Sequence, residues 1–273
     1  MKVLIAIFSC SRDIERGFNQ TIRDTWGRDL PPNVDLKFLI GTTQPGPISE
    51  EDPSWQADYK NYCRNKPWMT TPPPALSRSL EPDELALNAP DGYMYLTHKV
   101  KEAFRWAVAH NYDYVFRCDT DTFINIPRLL ASGFEKFDYM GRQLGDPKVN
   151  GYCYGGPGFF VNRKALLVLA DAPITIAADD VWVGEMLRQN GILLQDDKRF
   201  CNNWRQAPKE QVVTVHLSTK SGSYDGKLMW NAYSRPLPAP AERKDSENYI
   251  EVVIQGRHMW IPRPKAKLKY STK

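Results

Sequence analysis

The stretch Tyr112-Asp113-Tyr114-Val115-Phe116-Arg117-Cys118-Asp119-Thr120-Asp121-Thr122-Phe123-Ile124-Asn125 decides how this chain is read. A strand-like apolar run at 112–118 leads straight into two carboxylates separated by one residue. Open α/β sheets keep their ligands at the carboxyl ends of their strands. Two like charges so close are costly unless a cation accompanies them, and a divalent ion held there could clamp a diphosphate. The structural alternative is a solvated turn closed by an Asx-type hydrogen bond.

Further strand-like runs lie at 2–8, 34–41 and 211–217, and the first is nearly all apolar, as in a sheet covered on both faces. Helical patterns lie between them. Residues 97–110 set Val100, Ala103, Phe104, Ala107 and Val108 on one stripe, with Lys99, Lys101, Glu102 and Arg105 off it. Residues 180–189 continue a periodic pattern that Asn190-Gly191 stops. This alternation predicts an α/β fold with a mostly parallel central sheet flanked by helices.

Residues 42–92 break the rhythm. Eleven of the 21 prolines fall between Pro31 and Pro90, mixed with Trp55, Tyr59, Tyr62 and Trp68. Proline at that density argues against long helices and central strands, so the stretch reads as an ordered insertion. Its aromatics either pin the loop down or stack on a sugar or base. Arg235–Ala241 reads as a linker to a short terminal β unit at 249–261. The domain reading is therefore a domain over 1–234, containing the insertion, and a C-terminal extension over 235–273.

Composition sets the outer bounds. The 273 residues are 42% hydrophobic and 25% charged, which excludes wholesale disorder and a collagen-like repeat. No apolar run approaches the ~18–20 residues that span a bilayer, and no signal peptide precedes the first strand. A cytoplasmic protein of a bacterium or of a virus-infected cell, without a membrane anchor, is the expectation. The net charge is +4, and from Arg235 onward nine Lys and Arg face four Asp and Glu. Such a tail suits a polyanion or membrane surface, though a solvated face is the commoner meaning. Five scattered cysteines without a Cys-x-x-Cys pair read as free thiols.

Three further features bear on chemistry. Asp179-Asp180 opens a helical segment, where one acid can serve the free amides while the other points elsewhere, as a general base does. His216 stands in the alternating run Val212–Leu217, either as a packed residue or as a ligand. The run Tyr154-Gly155-Gly156-Pro157-Gly158 lacks the spacing of a phosphate loop. Its glycines either let the backbone approach a ligand or make a turn into a strand.

In their order along the chain, these features resemble the β-1,3-glycosyltransferase family that includes Fringe and the animal β-1,3-galactosyl- and N-acetylglucosaminyltransferases. The matching stretches are Thr21–Gly27, Phe38–Gly41, Asp91–Lys99, the Asp119/Asp121 segment, Gly155–Gly158, Asp179–Val181 and His216, spread over residues 2–230. The resemblance implies a GT-A fold and inverting transfer of a sugar from a UDP-sugar donor. Asp121 and His216 would hold Mn²⁺, with Mg²⁺ as the alternative, and Asp119 would serve the metal, its waters or the ribose. A carboxylate with an imidazole suits Mn²⁺ better. Asp180 would be the base that deprotonates the acceptor hydroxyl. Ser9, Ser11, Arg12 and Arg23 would lie at the uridine and diphosphate, with Lys99 and Lys220 as further donor-site candidates and 217–226 as a candidate lid. The chain departs from the family in Asp-Thr-Asp for three aspartates, Arg117 for Lys, Asn19 for Arg and Asp179 for Glu.

The acceptor implied is a glycan or glycolipid. The alternative is hydroxymethylated pyrimidine DNA modified by a phage or viral enzyme, with which the basic tail is compatible. Two readings from other classes compete. One is a haloacid-dehalogenase-type phosphatase with Asp119 as nucleophile and Asp121 as acid/base. The other is a non-catalytic lectin-like or nucleic-acid-binding module.

Overall fold

A computed structural model of the chain describes residues 1–43, 73–203, 211–217, 224 and 226–234, together with the backbone of 249–254 and 257–262. The described elements follow in the order β1 (Val3–Phe8), α1 (Ser11–Glu15), α2 (Phe18–Asp24), β2 (Val34–Thr43), β3 (Glu84–Pro90), α3 (Leu96–Ala109), β4 (Tyr114–Asp119), β5 (Thr122–Ile124) and α4 (Ile126–Leu130). They continue with β6 (Tyr139–Gly141), β7 (Gln143–Leu144), β8 (Tyr152–Cys153), β9 (Phe159–Asn162), α5 (Arg163–Asp171), α6 (Asp179–Gln189), β10 (Gln195–Asp196), β11 (Phe200–Cys201), β12 (Thr214–His216), α7 (Gly226–Ser234), β13 (Tyr249–Ile254) and β14 (Arg257–Pro262).

Seven strands form the central sheet in the order β10-β6-β9-β4-β1-β2-β3. β1 pairs in parallel with β2 and β4, and β2 with β3; β9 is antiparallel to both β4 and β6. The expected class, a mainly parallel α/β sheet flanked by helices, is what the chain adopts. All six residues of β1 are buried. Val3, Ile5 and Ile7 enter one core with Ile22, Phe38 and Phe116, while Leu4, Ala6 and Phe8 enter the other with Val100, Phe104 and Leu166. Period-two geometry thus sends alternate side chains into separate layers. Each large apolar side chain so buried contributes about 1.5–3 kcal/mol.

α3, α5 and α6 cover the second of these layers. The first is closed by α2, α7 and a small sheet of order β11-β12-β5. α3 buries Val100, Ala103, Phe104 and Ala107 as its stripe predicts. α6 ends where Gly191 turns to a φ of 71°, and the terminal β unit is an antiparallel hairpin of β13 and β14.

One expectation is corrected, and two placements go beyond what the sequence reading specified. Residues 84–90, inside the proline-dense stretch, form the edge strand β3. Pro90 is tolerated because it is the last residue of that strand, at a sheet edge where its missing donor leaves no ladder bond open. The 211–217 run contributes not to the central sheet but to the small one, where β12 is antiparallel to β5. Lys99 is not on a solvated face: it is 3% exposed, because two partners inside the protein take its ammonium. Trp55, Tyr59, Tyr62, Trp68 and the basic tail beyond 262 lie outside the described residues. Cys10, Cys118, Cys153 and Cys201 are free thiols, as expected of them.

Candidate active site

The parallel register brings the candidate residues to one edge. Phe8 stands opposite both Asp119 and Leu39, so Ser9 after β1 and Asp119 at the end of β4 emerge together. Arg117 stands opposite Phe159, so the antiparallel β9 starts at this edge and places the glycine-rich turn there too.

The turn is closed by a hydrogen bond from the Gly158 N–H to the Gly155 carbonyl, 2.9 Å. A Cβ on Gly155 would lie 2.9 Å from the Arg117 guanidinium, and one on Gly156 would lie 2.9 Å from the His216 ring. The glycines therefore make a turn into a strand and let that backbone press against two side chains of the site.

Arg117 is the hub, 1% exposed in the middle of an apolar strand. Its guanidinium reaches Asp119 at 2.9 Å and Asp179 at 2.7 Å, and donates to the Gly155 carbonyl at 2.9 Å. One side chain thus joins the end of β4, the start of α6 and the glycine turn. Burial opposes its charge, but Asp119, Asp179 and Asp180 outweigh burial and raise its pKa. Asp180, next along α6, accepts from the Gly155 N–H at 3.1 Å and from the Val181 N–H at 2.9 Å. Burial first, then the charge of Asp179, pushes its carboxyl up to about 6, against the pull of those amides and of Arg117. Burial likewise raises Asp119 and Asp179, with Arg117 as the opposing influence on both.

Across the turn, Oδ2 of Asp121 lies 3.1 Å from Nε2 of His216. Burial disfavours the imidazolium, but the bond to Asp121 and the charges of Asp121 and Asp119 prevail, so His216 is raised above its usual value. Asp13 on α1 is a fifth carboxylate, accepting from the Thr120 hydroxyl at 3.0 Å. Burial, with Asp121 adding to it, pushes Asp13 up to about 6. Tyr154 packs edge-on to His216 with ring centroids 6.0 Å apart. Burial and then Asp119 push its hydroxyl up to about 12. Tyr93 is raised by burial and then by Asp179, and is 40% exposed at the rim of the same carboxylates.

The residues fit a divalent cation. Asp119, Asp179 and Asp180 interact with the Arg117 guanidinium, and Asp121 and Asp13 lie beside them, an excess of carboxylates that a cation would relieve. Asp121 and His216, a carboxylate and an imidazole in contact at 3.1 Å, are donor types that such an ion accepts. Among the described residues no three His, Cys, Asp or Glu side chains form a ready-made cage.

Ser9, Ser11, Arg23 and Lys99, also expected at the donor site, are bound within the protein. The Ser9 hydroxyl donates to Asn19 at 2.7 Å, and the Ser11 hydroxyl to the Pro74 carbonyl. Arg12 is half-buried on α1. Arg23 forms two hydrogen bonds to Asp83, at 2.8 and 2.6 Å, and reaches Glu84 at 3.0 Å. Lys99 holds the Ser9 carbonyl at 2.7 Å and Asp91 at 2.6 Å. Lys220 and most of 217–226 lie outside the described residues. The structure thus joins Asp119, Asp121, His216 and Asp180 in one constellation and ties Arg23 and Lys99 into ion pairs of their own.

Sequence reasoning missed Asp13, the bridging role of Arg117, and the two tyrosines. A lone arginine in an apolar strand was a signal for Arg117; nothing local marks Asp13.

No family profile and no curated protein matches the sequence. Among solved structures, the chain is similar to the mannosyltransferase PcManGT from Pyrobaculum calidifontis in complex with GDP-Man and Mn²⁺, at 12% identity and a TM-score of 0.45, over 81% of this chain and 58% of that one. It is also similar to the apo form of the glycosyltransferase GlyE of Streptococcus pneumoniae, at 9% identity and a TM-score of 0.43, over 86% of this chain and 61% of that one. The chain spans about three fifths of the length of each. At such scores neither likeness weighs on what this chain does, and the residues of the site have to decide it.

Proposed function

We propose that this chain is a metal-dependent, inverting glycosyltransferase that moves a sugar from a UDP-sugar to an acceptor hydroxyl, in a GT-A fold of the Fringe-like kind. The observation that carries this reading is the gathering at one sheet edge of Asp119 and Asp179 on Arg117, of Asp180 on the Gly155 amide and of the Asp121–His216 pair.

Asp121 and His216 would hold Mn²⁺, which supplies charge neutralisation for a diphosphate leaving group. Asp119, fixed by Arg117, is placed to orient the metal's waters or the ribose. Asp180 takes the proton of the acceptor hydroxyl on its carboxylate as that oxygen attacks the anomeric carbon from the face opposite the leaving group. Its raised pKa suits a base that must both accept a proton and be ionised near neutrality. A glycan or glycolipid is the proposed acceptor.

Thermal unfolding with UDP, with and without Mn²⁺, tests the reading. Ligand at ~100 times its Kd adds about 2.7 kcal/mol, so the wild-type protein should shift upward with UDP and Mn²⁺ together. Asp121→Ala should lose the shift. A shift with vanadate and none with UDP would instead support the phosphatase.

A further inference from the structure

The turn that carries the two carboxylates of the site is held residue by residue. Arg117 holds Asp119. His216 holds the side chain of Asp121, and the Leu217 N–H takes its carbonyl at 2.9 Å. Thr120 between them is 6% exposed, and its hydroxyl donates to Oδ2 of Asp13, 107 residues away in sequence. Asp13 itself stands on a tied support. Its own N–H and that of Ile14 donate to the Cys10 carbonyl at 3.0 Å, and the preceding Ser9 carbonyl takes the buried Lys99 ammonium. That ammonium is anchored in turn by Asp91 at 2.6 Å.

We propose that Asp13 is a positioning residue of the active site, accepting the Thr120 hydroxyl and so setting the turn from which Asp119 and Asp121 project. The inference rests on the sugar-transfer reading of the site. The residue between the two aspartates is then a latch rather than a spacer. Without the bond a buried hydroxyl loses its acceptor, and the turn gains freedom to rotate both carboxylates. Displacements near 1 Å at such positions cost up to ~100-fold in rate. The role requires a side-chain oxygen that accepts, which asparagine also supplies, and does not require a charge.

The test measures Mn²⁺-dependent UDP binding by calorimetry in Asp13→Ala, Asp13→Asn, Thr120→Val, Thr120→Ser and the double variant Asp13→Ala/Thr120→Val. Asp13→Ala and Thr120→Val should each weaken binding about tenfold, the lower end of what loss of an outer-shell partner does to a metal site. The double variant should be no weaker than either single one, because both remove the same bond. Asp13→Asn and Thr120→Ser should bind within about twofold of the wild type. Thermal unfolding without ligand identifies any variant that fails to fold, and the two conservative variants then carry the test. Asp13→Asn as damaging as Asp13→Ala, or additive losses in the double variant, would overturn the latch while wild-type binding stands. A wild-type protein that takes up neither Mn²⁺ nor UDP would overturn the sugar-transfer reading itself, and the positioning role with it.

Discussion

Replacing Arg117 with methionine keeps most of the side-chain length and deletes the charge that the half-buried Asp119 and the buried Asp179 share. The guanidinium is 1% exposed, and the side chains of Asp119 and Asp179 are 31% and 8% exposed, at 2.9 and 2.7 Å from it. Deleting one partner of a buried ion pair costs about 3–5 kcal/mol, since the remaining charge keeps its desolvation penalty. At ~2–4 °C per kcal/mol for a domain of this size, the melting temperature should fall by roughly 6–20 °C. The pH dependence is the sharper readout. Burial already raises both carboxyls, and Arg117 opposes that rise. In its absence their folded-state values climb further above those of the unfolded chain, so the folded variant holds protons that the unfolded chain releases. Its stability is lost as pH rises, by up to about 1.4 kcal/mol per pH unit for each such proton. Melting curves of the variant and the wild type between pH 5 and 8 should therefore converge toward acid and diverge toward alkali. Arg117→Lys, which keeps the charge without the fork, should fall between them. A gap below about 1 kcal/mol, or one unchanged across that range, would refute the hub role of Arg117.

Asp180→Asn should lower turnover by about 10²–10⁴-fold with UDP binding kept, and wild-type kcat/KM should decline below pH about 6 as that base takes up its proton. Loss of UDP binding in the variant would contradict the assignment. Gly156→Ala puts a Cβ 2.9 Å from the His216 ring; Mn²⁺ affinity, read by titration, should drop about 10–100-fold as the imidazole turns from Asp121. A glycan or glycolipid acceptor predicts that reversing the charge of Lys265, Lys267 and Lys269 leaves turnover unchanged. A loss of activity on hydroxymethylated DNA with a flatter salt dependence would move the acceptor to nucleic acid.

Local pattern was enough for the strand that ends in Asp119, the helix that opens at Asp179, the stripe on α3 and the strand character of β1 and β2, because periodicity, apolar runs and turn residues act within about ten residues. The same reading left Lys99 merely off the apolar stripe and put the 84–90 segment in an insertion. Both placements turn on partners supplied from elsewhere in the chain: Asp91 and the Ser9 carbonyl for Lys99, and the free edge of β2 for β3.

By itself, then, the sequence determined an α/β architecture with carboxylates at a strand end and a helix start. Which of those carboxylates meet was decided only by the tertiary structure. The antiparallel β9 brings the glycine turn back to the edge, and Arg117 bridges to Asp179. His216 reaches Asp121 across 95 positions and Asp13 reaches Thr120 across 107. Contacts of that range depend on sheet order and register, which no local window of residue types encodes.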